Sequence, residues 1–202
     1  ERELIVEPSF AEAYEYLNDI IHASNGASYP CSVDIELLRR RIIYCCSFAK
    51  NANSSISIGF GDYDVDNTAR LFRLMDTLLS TIPVVGQNYI NFDCHWFHHS
   101  GFGCSVDLAH DTRIRHNILF PELPHKLEVL TMQYTREPYY KEEGRTWNKI
   151  AGTGKRQLMR YNCKDTCVTR EAYDVQELEF ADNPRLRACY DSDIDLSRKL
   201  DH

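Results

Sequence analysis

Asp34 and Glu36, one residue apart in Cys31-Ser32-Val33-Asp34-Ile35-Glu36, are the first side chains whose spacing suits chemistry. In an extended strand, residues two apart project from one face, so both acids point one way while Val33 and Ile35 pack the other way. Carboxylates a few ångströms apart raise each other's pKa, and a divalent cation is the partner that relieves them. A solvated strand end carrying two acids is the competing reading of this stretch alone. The choice turns on Asp93 and on Tyr161 to Asp165.

Leu158, Tyr161, Asp165, Val168, Ala172 and Val175 recur at three- and four-residue spacing. This predicts a long helix from about Lys155 to Phe180 with that stripe facing the core. Burying an unpaired carboxylate costs roughly several kcal/mol, so Asp165 needs a cation or a proton. Tyr161 lies one turn earlier on the same face, and its hydroxyl reaches the same point. Exposure of Asp165 by helix rotation, or its pairing with Arg160 or Lys164, is the alternative. Asp93 closes Gly86-Gln87-Asn88-Tyr89-Ile90-Asn91-Phe92-Asp93, which runs off a strand end into a helix, where α/β sheets hold ligands. An aspartate there is also a good helix N-cap.

The elements that must position these groups alternate between strand and helix. Leu4 to Val6 reads as an edge strand, followed by a helix with Ser9 as N-cap and Glu12 as its capping-box partner, broken at Asn25-Gly26. Residues 31–36, 42–49 and 55–60 form a meander, and the middle run, apolar without alternation, is expected to be covered on both faces. Asp66 is placed as the cap of a helix ending before Pro83, and 83–88 is a short strand parallel to a neighbour. A helix over 92–99 and two more flanking Pro121 to Pro124 follow. Segment 136–154 reads as an excursion, and Asn183-Pro184 separates the long helix from a last acidic one over 185–200.

The 202 residues suit one domain, with 43% hydrophobic and 26% charged residues. A net charge of -7 argues against a generically basic nucleic-acid binder, but not against an enzyme that meets phosphate through cations held on carboxylates. Lys141, Arg145, Lys149, Lys155, Arg156, Arg160 and Lys164 form a basic run that is either a solvated face or a guide for a phosphate backbone. The eight irregularly spaced cysteines, mostly in apolar segments, imply a reduced, intracellular setting, either cytoplasmic or the cytoplasm of an infected host. No apolar run or leader suggests a membrane. Cys94, His95, His98, His99, Cys104 and His110 crowd together, but their spacing matches no common zinc pattern and zinc is set aside.

Asp34-Ile35-Glu36, Asn88-x-x-x-Phe92-Asp93 and Tyr161-x-x-x-Asp165 resemble, in order, the three motifs of the DEDD exonucleases, the tyrosine marking the DEDDy branch of the DnaQ-like superfamily. Residues 1–180 most resemble the 3′→5′ proofreading exonuclease domain of family A DNA polymerases, phage ones especially, through His116 to Pro124 and through Tyr134-Thr135-x-x-Pro138-Tyr139-Tyr140-Lys141. Leu37 departs from the threonine of many relatives. The resemblance implies an α/β, ribonuclease H-like mixed sheet flanked by helices. It implies an exonuclease domain over 1–181 and an acidic helix over 182–202, either as a proofreading domain whose last helix connects to a polymerase domain in the same parent chain or as a free-standing viral nuclease. The implied activity releases 5′-mononucleotides from a single-stranded or frayed DNA 3′ end with two Mg2+ or Mn2+ ions about 4 Å apart. In the implied roles, Asp34 bridges both ions, Glu36 and Asp165 complete the first, Asp93 holds the second and Tyr161 orients water. Gln87, Asn88 and Phe92 then line the groove for the terminal nucleotides. An RNase D-like exoribonuclease and a non-catalytic relic of the fold are the competing functions.

Overall fold

The computed structural model describes residues 1–23, 30–39, 41–142 and 154–200, and the described strands form one mixed sheet. They are β1 (Glu3–Val6), β2 (Cys31–Leu38), β3 (Ile42–Asn51), β4 (Ser54–Gly59), β5 (Val84–Gly86) and β6 (Ala109–Asp111), in the spatial order β1-β4-β3-β2-β5-β6. The predicted meander is present, since β2 pairs β3 and β3 pairs β4 antiparallel. β1 lies parallel at the β4 edge, and β5 and β6 extend the sheet in parallel beyond β2. The helices are α1 (Phe10–Ala23), α2 (Val65–Thr81), α3 (Asp93–His99), α4 (Thr112–Leu119), α5 (Leu127–Tyr134), α6 (Gly154–Asp182) and α7 (Pro184–Leu200). This is the expected α/β, ribonuclease H-like class.

Strand alternation divides the sheet into two chemically different faces. Val33, Ile35, Cys46, Phe48, Ile56 and Ile58 join Leu17 and Ile20 of α1 and Leu71, Met75 and Leu78 of α2 in the main apolar core. On the other face Ser47, Ser55 and Ser57 are fully buried against α6. Ser57 Oγ donates to Asn162 Oδ1 at 3.0 Å, Ser47 Oγ to the Asn162 carbonyl at 2.9 Å, and Ser55 Oγ lies 2.7 Å from Thr166 Oγ1. Hydroxyls and amides that satisfy one another in this way tolerate a dry interface. The apolar stripe of α6 faces the interior as predicted, Leu158 reaching Cys45 of β3, but most of it lies on the side away from the sheet. Val168, Ala172, Tyr161 and Val175 instead pack against Leu127, Leu130 and Tyr134 of α5 and against Tyr140. The helix is covered on both sides, so its apolar periodicity marked its contact with α5 and its small polar residues marked the sheet.

Local signals explain most boundaries. The Ser9 amide donates to Glu12 Oε2 at 2.8 Å and the Glu12 amide to Ser9 Oγ at 3.3 Å, a complete capping box. The cap of α2 is Asp64 rather than Asp66, its carboxylate accepting from the Asn67 amide at 2.8 Å. Asp66 sits in the first turn, where its charge suits the helix dipole. β6 has no counterpart in the sequence reading, because Ala109-His110-Asp111 is too short to show a period. Tyr190 and Ile194 anchor α7 in the main core. The Asn25-Gly26 break and Arg145 and Lys149 of the basic run lie outside the described residues. None of the described helices is long and apolar enough to cross a membrane.

Candidate active site

Asp34 and Glu36 leave β2 on the face that meets α6, and Asp165 projects from α6 toward them. Carboxylate oxygens of these three residues all lie within 4.8 Å of one another. Asn162 fixes the first acid, its Nδ2 donating to Asp34 Oδ2 at 2.6 Å and to the Asp34 carbonyl at 3.3 Å. Burial, and then the charge of Asp165, push the Asp34 carboxyl up to about 8. Burial and Asp34 hold Glu36 well above the ordinary carboxylate range. Like charges gathered out of water favour either protonation or a cation among them.

A cation is present, and it belongs to the chain. Lys141 Nζ lies 2.8 Å from both Asp165 oxygens and donates to the Tyr161 hydroxyl at 2.8 Å. Tyr140 OH donates to Asp165 Oδ1, and Asp165 itself is 5% exposed. The partner of Asp165 is therefore neither Arg160 nor Lys164 but a lysine distant in sequence. Burial and the neighbouring Asp165 raise the Tyr161 phenol, which therefore remains a neutral hydrogen-bonding group and not a base. Of the other described members of the basic run, Lys155 pairs with Asp62 and Arg156 with Glu7.

Asp93 stands beside this cluster rather than in it. β2 pairs with β5 only through Cys31 and Ser32, so the strands part and leave the Ile35 amide to donate to Asp93 Oδ1 at 3.2 Å. Asp93 is the first residue of α3, not its cap, and that helix start is held without a side-chain cap bond. Burial first and Asp34 second keep its carboxyl well above the usual range. Asn88 adopts a left-handed backbone (φ 63°), its amide donating to Asp111 Oδ1 at 3.0 Å and its side-chain oxygen accepting from Arg113. Gln87 Nε2 donates to the His125 carbonyl at 2.9 Å. Phe92, the residue before α3, exposes 42% of its surface.

Sequence reasoning missed Lys141, Tyr140 and Asn162 as parts of this site. Asn162 had a signal: a polar residue at a helix position one turn from Thr166, facing alternating serines of β4. Tyr140 and Lys141 had one too, since both end the Tyr134 to Lys141 motif of the resemblance and Lys141 heads the basic run, but neither signal tied them to Asp165. The donor set is all oxygen, from three carboxylates and a phenol, and suits a hard divalent ion such as Mg2+ or Mn2+ better than a soft one.

The DNA polymerase A exonuclease family model, described as 3′-5′ exonuclease, matches residues 9–178. Among solved structures, the catalytic core of RRP6 from Trypanosoma brucei is 15% identical with a TM-score of 0.69, over 99% of this chain and 52% of that one. NrnC of Brucella melitensis is 12% identical with a TM-score of 0.60, over 98% and 92%, and has also been solved with bound Mg2+. Pol1 from M. smegmatis, in complex with DNA primer-template and dNTP, is 13% identical with a TM-score of 0.61, over 92% of this chain and 28% of that chain. At these identities the likeness is one of fold. No curated protein sequence matches the chain significantly.

Proposed function

The chain belongs to the 3′-5′ exonuclease family, and from that premise we propose that it releases 5′-mononucleotides from the 3′ end of single-stranded or frayed DNA, supported by divalent cations. The observation that carries this reading is the convergence of Asp34, Glu36 and Asp165 within 4.8 Å on a site already holding one positive charge. These three acids are proposed to hold the first cation, and Asp93 to hold a second with Asp34. Mg2+ or Mn2+, when bound, supplies Lewis-acid polarisation of the scissile phosphate and of the attacking water.

The chain's own residues do the rest. Asn162 fixes the Asp34 carboxylate, and Tyr140 fixes Asp165. Tyr161, kept protonated by its surroundings, orients the water that attacks phosphorus as the bond to the 3′ oxygen breaks. Lys141 Nζ, tethered beside Tyr161 and Asp165, yields the carboxylates to a cation and stays near the phosphate. Gln87, Asn88 and Phe92 are proposed to receive the terminal nucleotides, with exposed Phe92 offering a ring on which a base can stack. Frayed ends are required because a nucleotide must leave its stack to reach buried acids.

The test is degradation of 5′-labelled DNA and RNA single strands with Mg2+, Mn2+ or EDTA, with product analysis. The expected result is a 3′→5′ ladder on DNA, 5′-mononucleotide products, and silence in EDTA. Cleavage in EDTA, or internal cuts, would contradict the reading. Preferential attack on the RNA strand would reassign the substrate.

A further inference from the structure

A second cluster lies on the far side of Asp93, and no part of the nuclease reading uses it. Cys94 and His98 are four residues apart on α3, which puts them one above the other on one helix face. The helix then reverses. Gly101, with φ +88°, takes the left-handed position of a Schellman motif, in which the Phe102 amide donates to the Phe97 carbonyl and the Gly101 amide to the His98 carbonyl, each at 3.0 Å. The reversal returns Cys104 to the same helix face. Its sulfur lies 3.1 Å from Cys94 Sγ, and a ligand nitrogen of His98 joins both within 4.8 Å.

We propose that Cys94, His98 and Cys104 bind one zinc ion, at a site separate from the carboxylates. Two sulfurs and one imidazole form the donor set of a borderline-soft divalent ion, with a fourth position left for water. Tetrahedral zinc with bonds of about 2.3 Å to sulfur needs its two sulfurs about 3.8 Å apart, so a small opening of the present pair suffices. Both cysteines are buried, at 3% and 6% exposure, while His98 is exposed and provides the way in. Binding releases the two thiol protons to solvent, with no oxidant or reductant involved. Tyr89, fully buried, has its hydroxyl 2.9 Å from Cys104 Sγ, a polar partner aimed at the ligand from behind. The sequence spacing Cys-x3-His-x5-Cys fits no common zinc pattern, because patterns written along the chain do not count the reversal at Gly101. A filled site would pin the first turn of α3, and with it Asp93, to the loop before β6.

The test is titration of the reduced protein with Co2+, read by thiolate-to-cobalt charge-transfer absorption and followed by displacement with Zn2+. One equivalent should saturate the band in the wild type and in Asp34→Asn, which locates the signal away from the carboxylates. Cys104→Ser should abolish the band. His98 Nε2 also lies 2.8 Å from the Cys104 carbonyl oxygen, so His98→Ala is checked for its fold by circular dichroism, and it should weaken Co2+ binding by more than the roughly 10–100-fold cost of losing an outer partner. No charge-transfer band in the folded wild type would overturn the proposal. So would a band unchanged in both variants, or capture of the cysteines as a disulfide in air with no metal bound under reducing conditions.

Discussion

Asp93 and Cys94 are neighbours at the start of α3, yet they serve two clusters with opposite chemistry. Asp93 turns toward β2 and stands beside three carboxylates, whereas Cys94 turns away toward a thiol, an imidazole and a phenol. The oxygen cluster gathers several carboxyls out of water, where their charges would repel, and is stabilised by an ammonium supplied from another part of the chain. The sulfur cluster sets two buried thiols, neutral when protonated, beside an exposed imidazole, and so brings no like charges together out of water. One helix turn can thus present hard donors on one side and soft donors on the other, each selecting its own class of cation.

The sharpest way to break this contrast is Asp34→Asn. Losing a ligand that places several kcal/mol of charge stabilisation is expected to cut the rate about 10³-fold, read by single-turnover cleavage, with the cobalt-thiolate band untouched. Loss of both signals together would mean that the clusters are one unit. Lys141→Met comes next. Removing one partner of a buried pair is expected to lower metal-free stability by about 3 kcal/mol, measured by denaturant unfolding in EDTA. Mg2+ should then stabilise the variant more than the wild type, because the ion no longer competes with the ammonium. Equal responses in the two proteins would separate the lysine from the cation position.

The acids also set a pH dependence that the thiol cluster does not share. The Asp34 carboxyl, pushed up to about 8, keeps its proton in the folded chain, while the unfolded chain loses it near the ordinary aspartate value of about 4. Between those values the folded state binds more protons, so this group makes metal-free stability fall as pH rises. Thermal unfolding from pH 5 to 8 in EDTA should show that fall. Saturating Mg2+, which requires ionised carboxylates, should reduce or reverse it. Asn162→Ala is the smallest of these changes: loss of its bonds to Asp34 and Ser57 should cost about 1–2 kcal/mol in the same denaturant assay, with the fold retained.

The meander strands and the spacing inside each motif were readable because each rests on a pattern within a few residues, whereas β6 was too short to show one. Asp34 and Glu36 share a face by strand geometry alone, and Asp165 was conspicuous as a charge within an apolar stripe. What the stripe faced was not readable, because α6 is buried on both sides and the sheet takes its hydroxyl-rich side. Lys141 was visible in the basic run and in the motif ending Tyr140-Lys141, but its partnership with Asp165 was not, because it depends on how the chain returns after α5. Cys94, His98 and Cys104 were visibly crowded in the sequence, but their convergence was not, because a Schellman turn brings Cys104 back onto α3 through space rather than through spacing.

Lys141 holds the three carboxylates in place of a divalent cation until the ion arrives. Crystals soaked in Mn2+ and measured at the manganese absorption edge test it most directly. The expected result is an anomalous peak bounded by Asp34, Glu36 and Asp165, with Lys141 Nζ withdrawn from the Asp165 oxygens. An intact Lys141–Asp165 pair at saturating Mn2+, with manganese elsewhere or nowhere on the chain, would contradict it.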